Sequence, residues 1–136
     1  MEIPYHKLSA GAIIRDKFDH ILLIKNKTRG WEYPGGFVNN NESVQDGAIR
    51  EVEEETGIQV KIIDLIGIYQ IKQESSCHFL FLANPISGQL QSDDESEDIG
   101  YFTMEEALNM ISNKIFLERV LHSSNENQWP YLYINK

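Results

Sequence analysis

Glu51, Glu53, Glu54 and Glu55 crowd four carboxylates into five successive positions, directly ahead of Thr56 and Gly57. On a helix, like charges three or four residues apart repel by ~0.2–0.5 kcal/mol per pair. Acids near a helix C-terminus also oppose the macrodipole. Glu51, Glu54 and Glu55 stand at i, i+3 and i+4 and share one face, whereas Glu53 points elsewhere and reads as a solvated acid. Three converging carboxylates supply the oxygen donors that hard divalent cations such as Mg²⁺ and Mn²⁺ take. A bound cation turns the repulsion into attraction. The alternative is a charged face that meets only water, and spacing alone leaves the two level.

A helix over Ser43–Thr56 has to carry these acids. Val44, Ala48 and Val52 form one apolar stripe with Ile49 beside it, turned away from the acidic triplet. Ser43 is a suitable N-cap, with Asp46 three residues on in the manner of a capping box, and Gly57 suits the C′ position. Gly47, inside the helix, reads either as close packing or as a tolerated glycine. Before the helix, "NKTRGWEYPGGF" (26–37) reads as a loop, punctuated by Gly30, Pro34, Gly35 and Gly36. "KLSAGAIIRD" (7–16) and "HILLIKN" (20–26) predict a hairpin. Residues 58–72 predict two strands or one bent strand, and 77–84 a further buried strand. The acidic run "SDDESED" (92–98) leads into "IGYF" (99–102). Thr103 and Glu106 form a second capping box opening a helix, and "KIFLERVLHSS" predicts another. Strands with one early helix and two late ones predict a mixed α/β layered domain over 1–136, with a tail from about 123.

The chain has 136 residues, a length that suits one domain, and 41% hydrophobic and 24% charged residues, as in ordinary globular proteins. A net charge of −9 argues against a nucleic-acid polymer as partner, because that affinity comes from cationic side chains on phosphates. No apolar run reaches the roughly 20 residues a membrane span needs. The start, Met-Glu-Ile-Pro-Tyr-His-Lys, lacks the pattern of a secretory signal. Cys77, the only cysteine, reads as a small buried hydrophobe rather than a nucleophile, and one cysteine suits a reducing cytoplasm.

From Gly36 the chain runs five residues to Glu42, seven more, then Arg50-Glu51-Val52-Glu53-Glu54-Glu55-Thr56-Gly57-Ile58. This resembles the signature of the Nudix hydrolases, a glycine, a glutamate and R-E-U-x-E-E-x-G-U with U aliphatic, over 36–58. "WEYPGG" and "IGYFTMEEAL" resemble the family's lead-in and closing strand–helix, extending the resemblance across most of 8–113. The resemblance implies an α/β/α sandwich around a mixed sheet, with the box as loop-helix-loop. It implies hydrolysis within the phosphate chain of a nucleoside diphosphate linked to another moiety, helped by Mg²⁺ or Mn²⁺. Carried over by position, Glu51, Glu54, Glu55 and the carbonyl of Gly35 are the expected metal ligands. Arg50 and Glu42 are expected as a supporting pair fixing loop to helix, and Gly35 and Gly36 bend the backbone toward the ion. A carboxylate outside the box, Glu95 or Glu97 ahead of Asp98, is the expected extra ligand or base, alongside the box glutamates as alternative bases.

Trp31 and Tyr33 could stack on a base or pack over the glycine turn. His78 reads as satisfied rather than catalytic, and His122 as a C-terminal cap. "WPYLY" lines a homodimer interface or packs on its own core, homodimers being known in the family. The proline marking many ADP-ribose hydrolases is absent, Glu74 standing there, and the tyrosine of diadenosine polyphosphate hydrolases is missing where Ser75 and Ser76 stand. The resemblance thus leans to a MutT-like nucleoside triphosphate pyrophosphatase, with a nucleoside diphosphate sugar or alcohol next. A nucleotide sensor without hydrolysis is a third reading.

Overall fold

The computed structural model describes residues 1–135. Its strands are β1 (Lys7–Ile14), β2 (Ile21–Asn26), β3 (Gly30–Glu32), β4 (Gly35–Phe37), β5 (Ile58–Ile71), β6 (Ser76–Gly88), β7 (Ser96–Phe102) and β8 (Tyr131–Asn135). Its helices are α1 (Val44–Thr56), α2 (Met104–Met110) and α3 (Lys114–Ser123). A five-stranded mixed sheet runs β4-β1-β6-β5-β8, and a three-stranded sheet runs β3-β2-β7.

β1 shows how one strand serves two layers. Ala10, Ala12 and Ile14 alternate onto one face and Ile13 onto the other. The alanines leave room for α1, whose Ala48 and Val52 pack there with Phe81, Leu22 and Ala83. On the opposite face Ile13, Ile66 and Leu80 meet Ala107 and Ile111 around α2 and Val120 of α3. This is the α/β/α sandwich expected from the sequence.

β5 is one strand, bent where its pairing with β6 slips at Gln59/Val60, Ile62/Asp64 and Leu65/Gly67. The segment read as a loop over 26–37 instead contains β3 and β4. Three-residue strands have too little pattern to be seen among glycines. β4 pairs with β1 through Gly36 opposite Ala10 and Gly35 opposite Gly11. A Cβ on Gly35 would lie 2.7 Å from the Ala10 carbonyl oxygen, so glycine is required there by close backbone approach.

The tail is also built into the fold. β8 adds parallel to β5, Gly67 opposite Tyr131 through Ile71 opposite Asn135. Its period-two pattern leaves Leu132 and Ile134 outward at 73% and 55% exposure. His122 does not cap α3 with its side chain. Its ring stacks on Tyr131 at 3.8 Å and its Nδ1 lies 2.8 Å from the Tyr69 hydroxyl, while its carbonyl accepts from Trp129 Nε1. Cys77 is half-buried, and burial pushes its thiol up, which suits an inert residue.

Candidate active site

α1 begins where Ser43 Oγ accepts from Asp46 N at 3.0 Å; the reciprocal half of a capping box is missing. It ends at Gly57, whose φ of 78° lets its N–H reach the Glu53 carbonyl. Gly47 packs closely, since a Cβ there would meet Glu42 Oε1 and Val38 at 3.1 Å. These constraints fix which way the acidic face looks.

Arg50 organises the mouth of the helix. Its Nε and Nη2 donate to the two oxygens of Glu42 at 2.8 and 3.0 Å, and Nη2 also donates to the Phe37 carbonyl at 3.0 Å. Nη1 donates to Glu51 at 3.1 Å and to Glu54 at 3.2 Å. The planar fork thus ties β4, the loop and α1 together. Its hydrogen bond to Glu42 is the main reason that carboxyl is held below its ordinary range.

Glu55 is placed differently. It is deeper, meets no guanidinium hydrogen bond, and accepts only from Gly35 N at 2.8 Å. Burial, helped by the charges of Glu51, Asp93 and Glu32, pushes its carboxyl up to about 8. Glu51 is also raised, by burial, with Arg50 pulling the other way. A Cβ on Gly36 would lie 2.5–2.7 Å from the Glu51 carboxylate, so this glycine is what leaves space for the acid. Gly36→Ala is expected to keep the fold, because the contact is with the far end of a side chain, and to lower turnover about 10- to 100-fold by displacing Glu51. Steady-state kinetics beside a thermal melt check both halves.

Glu51, Glu54 and Glu55 line a cleft of about 640 Å³ with Gly35, Gly36 and Glu95. Asp93 and Asp94 line it too, and were not singled out in the sequence. Glu97 is not in this wall. It faces Lys25 at 3.8 Å from β7. Asp98 accepts from the backbone of Ile99.

Tyr33 and Trp31 pack on the protein, the alternative to base stacking that the sequence offered. Tyr33 is 2% exposed with its ring edge-on to Phe116 at 5.0 Å. Trp31 packs edge-on to Phe102 at 5.1 Å and lies outside the cleft. Both aromatic faces went to the core. Glu32, missed in the sequence, is 4% exposed and held by Arg29 through bonds of 2.9 and 2.8 Å. An acid between the aromatics of "WEY" was the available signal.

As they stand, no three described His, Cys, Asp or Glu side chains converge tightly enough to hold a metal ion. Glu51 and Glu54 turn to Arg50, and Glu55 to Gly35. The donor set nonetheless fits a hard divalent ion. It is all oxygen and gathered on one cleft, with Asp93, Asp94 and Glu95 beside the three box glutamates.

A model of the NUDIX domain matches residues 5–122. The chain is 31% identical over 104 residues to a MutT-like protein of Streptomyces ambofaciens, covering 76% of this chain and 68% of that one. It is 31% identical over 99 residues to an ADP-ribose pyrophosphatase of Methanocaldococcus jannaschii (67% and 59%), and 35% over 85 residues to a putative 8-oxo-dGTP diphosphatase of Bacillus subtilis (62% and 57%). The chain therefore spans under two thirds of the length of some of these relatives. A NUDIX hydrolase structure from Nitrosomonas europaea superposes with a TM-score of 0.85 at 28% identity, covering 99% of this chain and 82% of that one. An ADP-ribose pyrophosphatase structure from Streptococcus suis gives 0.72 at 25%, covering 96% and 100%. With the box complete, its helix facing an acidic cleft and the domain model matching residues 5–122, this chain belongs to the Nudix family of hydrolases.

Proposed function

We propose that residues 1–136 act as one domain that hydrolyses a phosphoanhydride bond in a small nucleotide, a nucleoside triphosphate before a nucleoside diphosphate sugar or alcohol. The observation that carries this is the cleft in which three box glutamates meet the acidic loop ahead of β7. Glu51, Glu54, Glu55 and the Gly35 carbonyl would hold Mg²⁺ or Mn²⁺. When bound, such an ion offsets phosphate charge and lowers the pKa of water. Arg50 holds Glu51 and Glu54 in place against Glu42. Glu95, lining the cleft from the loop before β7, is positioned to take the proton of the attacking water. The name of one of these relatives, an 8-oxo-dGTP diphosphatase, supports a triphosphate, and that of another supports ADP-ribose. A pocket of about 250 Å³ beside the cleft has room for one ring system, which counts against a dinucleoside polyphosphate.

The test is phosphate or pyrophosphate release from nucleoside triphosphates, ADP-ribose, nucleoside diphosphate sugars, CDP-alcohols and diadenosine polyphosphates, each with Mg²⁺, Mn²⁺ or EDTA. A metal-dependent triphosphate activity above all others is expected. Equal rates in EDTA, or no turnover of any substrate, would refute it. Saturating Mg²⁺ or Mn²⁺ is also expected to raise the melting temperature, by roughly 5–10 °C at a hundredfold excess over Kd. An unchanged melting curve would count against the ligand set.

A further inference from the structure

Arg119 of α3 is 6% exposed, yet it pairs with no carboxylate among the described residues. Among the described residues its only hydrogen bond runs from Nη1 to the Tyr33 hydroxyl at 3.1 Å, and its guanidinium lies 4.8 Å over the Tyr69 ring. A buried cation without an anionic partner is costly, so its remaining donors call for a partner. Among the described residues no fully buried side-chain nitrogen or oxygen is left without a hydrogen bond. The unpaired Nε and Nη2 therefore reach open space. Arg119 lines two adjoining pockets that both include Ser9, Gly36 and His78, and the one beside Phe116 shares Arg29, Gly35 and Gly36 with the acidic cleft.

The rest of the polar wall has a fixed sense. Tyr33 accepts from Arg119, which has no acceptor to offer, so the buried Tyr33 O–H must donate to His78 Nε2, 2.8 Å away. His78 is then protonated on Nδ1 and donates to Ser9 Oγ at 2.7 Å. Burial, with Arg119 nearby, pushes the imidazole down to about 3, so it stays neutral and this order holds. Ser9 keeps its own O–H for the pocket. Glu32, in the same wall, has both oxygens engaged by Arg29. The pocket thus offers donors: a parallel Nε–H/Nη2–H pair on Arg119 and the Ser9 hydroxyl, beside the apolar edge of Phe116.

We propose that this pocket binds the base of the substrate and that the Arg119 fork, with Ser9, selects an edge bearing two adjacent acceptors, as O6 and N7 of guanine do. Adenine puts an amine beside N7 on that edge and breaks the match, and Arg against O6/N7 is the commonest specific pairing to guanine. The carboxylate of Glu32 in the same wall disfavours a free anion as the ligand. The assignment rests on the nucleotide reading above.

The test is calorimetric titration in EDTA with GMP, AMP, UMP, CMP, 7-deaza-GMP and inorganic phosphate, followed by kcat/KM for the matching triphosphates with Mg²⁺. GMP is expected to bind at least about 10-fold more tightly than the others, including the analogue without N7. Arg119→Met is expected to lower kcat/KM for GTP on the order of 30-fold through KM, and that for ATP by less than about 3-fold. Ser9→Ala should give a smaller loss of the same selectivity, and it carries the test if Arg119→Met fails to fold. Phosphate binding as tightly as GMP, equal binding of AMP, or unchanged selectivity in both variants would overturn the proposal. Hydrolysis without base preference removes the pocket assignment and leaves the reaction. Arg119-dependent GMP binding without any hydrolysis does the reverse.

Discussion

If Glu54 and Glu55 are metal ligands as proposed, Glu54→Gln and Glu55→Gln are each expected to lower turnover by at least about 100-fold while the protein stays folded, because each takes one anionic oxygen donor from the site and nothing from the core. The two should differ in how the protein without added metal responds to pH. Glu55 has its folded carboxyl raised from 4.5 to about 8, so the folded form binds that proton more tightly than the unfolded chain does. The resulting stability is complete below about pH 4.5 and is lost as pH rises through about 8. Melting curves in EDTA should therefore fall in temperature across that window, and Glu55→Gln, which stays neutral, should flatten the fall. Turnover near that of the parent in both variants would reject the ligand assignment. A melting profile unaltered by Glu55→Gln would show that Glu55 is not the group under strain.

Arg50 carries the second large effect. Arg50→Lys retains the charge but not the fork that spans both Glu42 oxygens and the Phe37 carbonyl. Turnover is expected to fall about 10- to 100-fold, the usual cost of losing a group that orients metal ligands. Arg50→Met goes further, leaving Glu42, Glu51 and Glu54 without their shared cation, and should also lower the melting temperature. Adding metal should recover part of that loss in Arg50→Met, because the ion meets the same carboxylates. If Arg50→Lys matches the parent in turnover, the fork is only a surface ion pair.

The box was legible because its logic is local. Residues at i, i+3 and i+4 must share a helix face, Ser43 and Gly57 mark its ends, and Thr103 with Glu106 closes both halves of a capping box. The polar chain behind the pocket had no such signature. Ser9 meets His78 across 69 residues, Tyr33 meets His78 across 45, and Arg119 meets Tyr33 across 86. Each residue alone looks ordinary, and only the parallel pairing of β1 with β6 and the docking of α3 bring them together. That Glu95 lines the cleft while Glu97 faces Lys25 depends on where β7 begins. Its register with β2 slips between Lys25 and Asn26, and a slip of this kind changes which side a residue takes without altering its sequence context. β8 escaped because a five-residue strand at the sheet edge pairs on one side only.

The parallel pairings of β1 with β6 and of β5 with β8 also govern how the molecule comes into being. Neither neighbour of β6 or β5 in those pairs is near in the chain, so the central sheet closes long loops before it gains contacts. Such topologies fold slowly, in milliseconds to seconds rather than microseconds. During synthesis β1 waits for β6, and β5 keeps an open edge until β8 arrives. A nascent chain that stops short of residue 131 therefore presents a bare strand edge to its neighbours, a known route to association between unfinished chains.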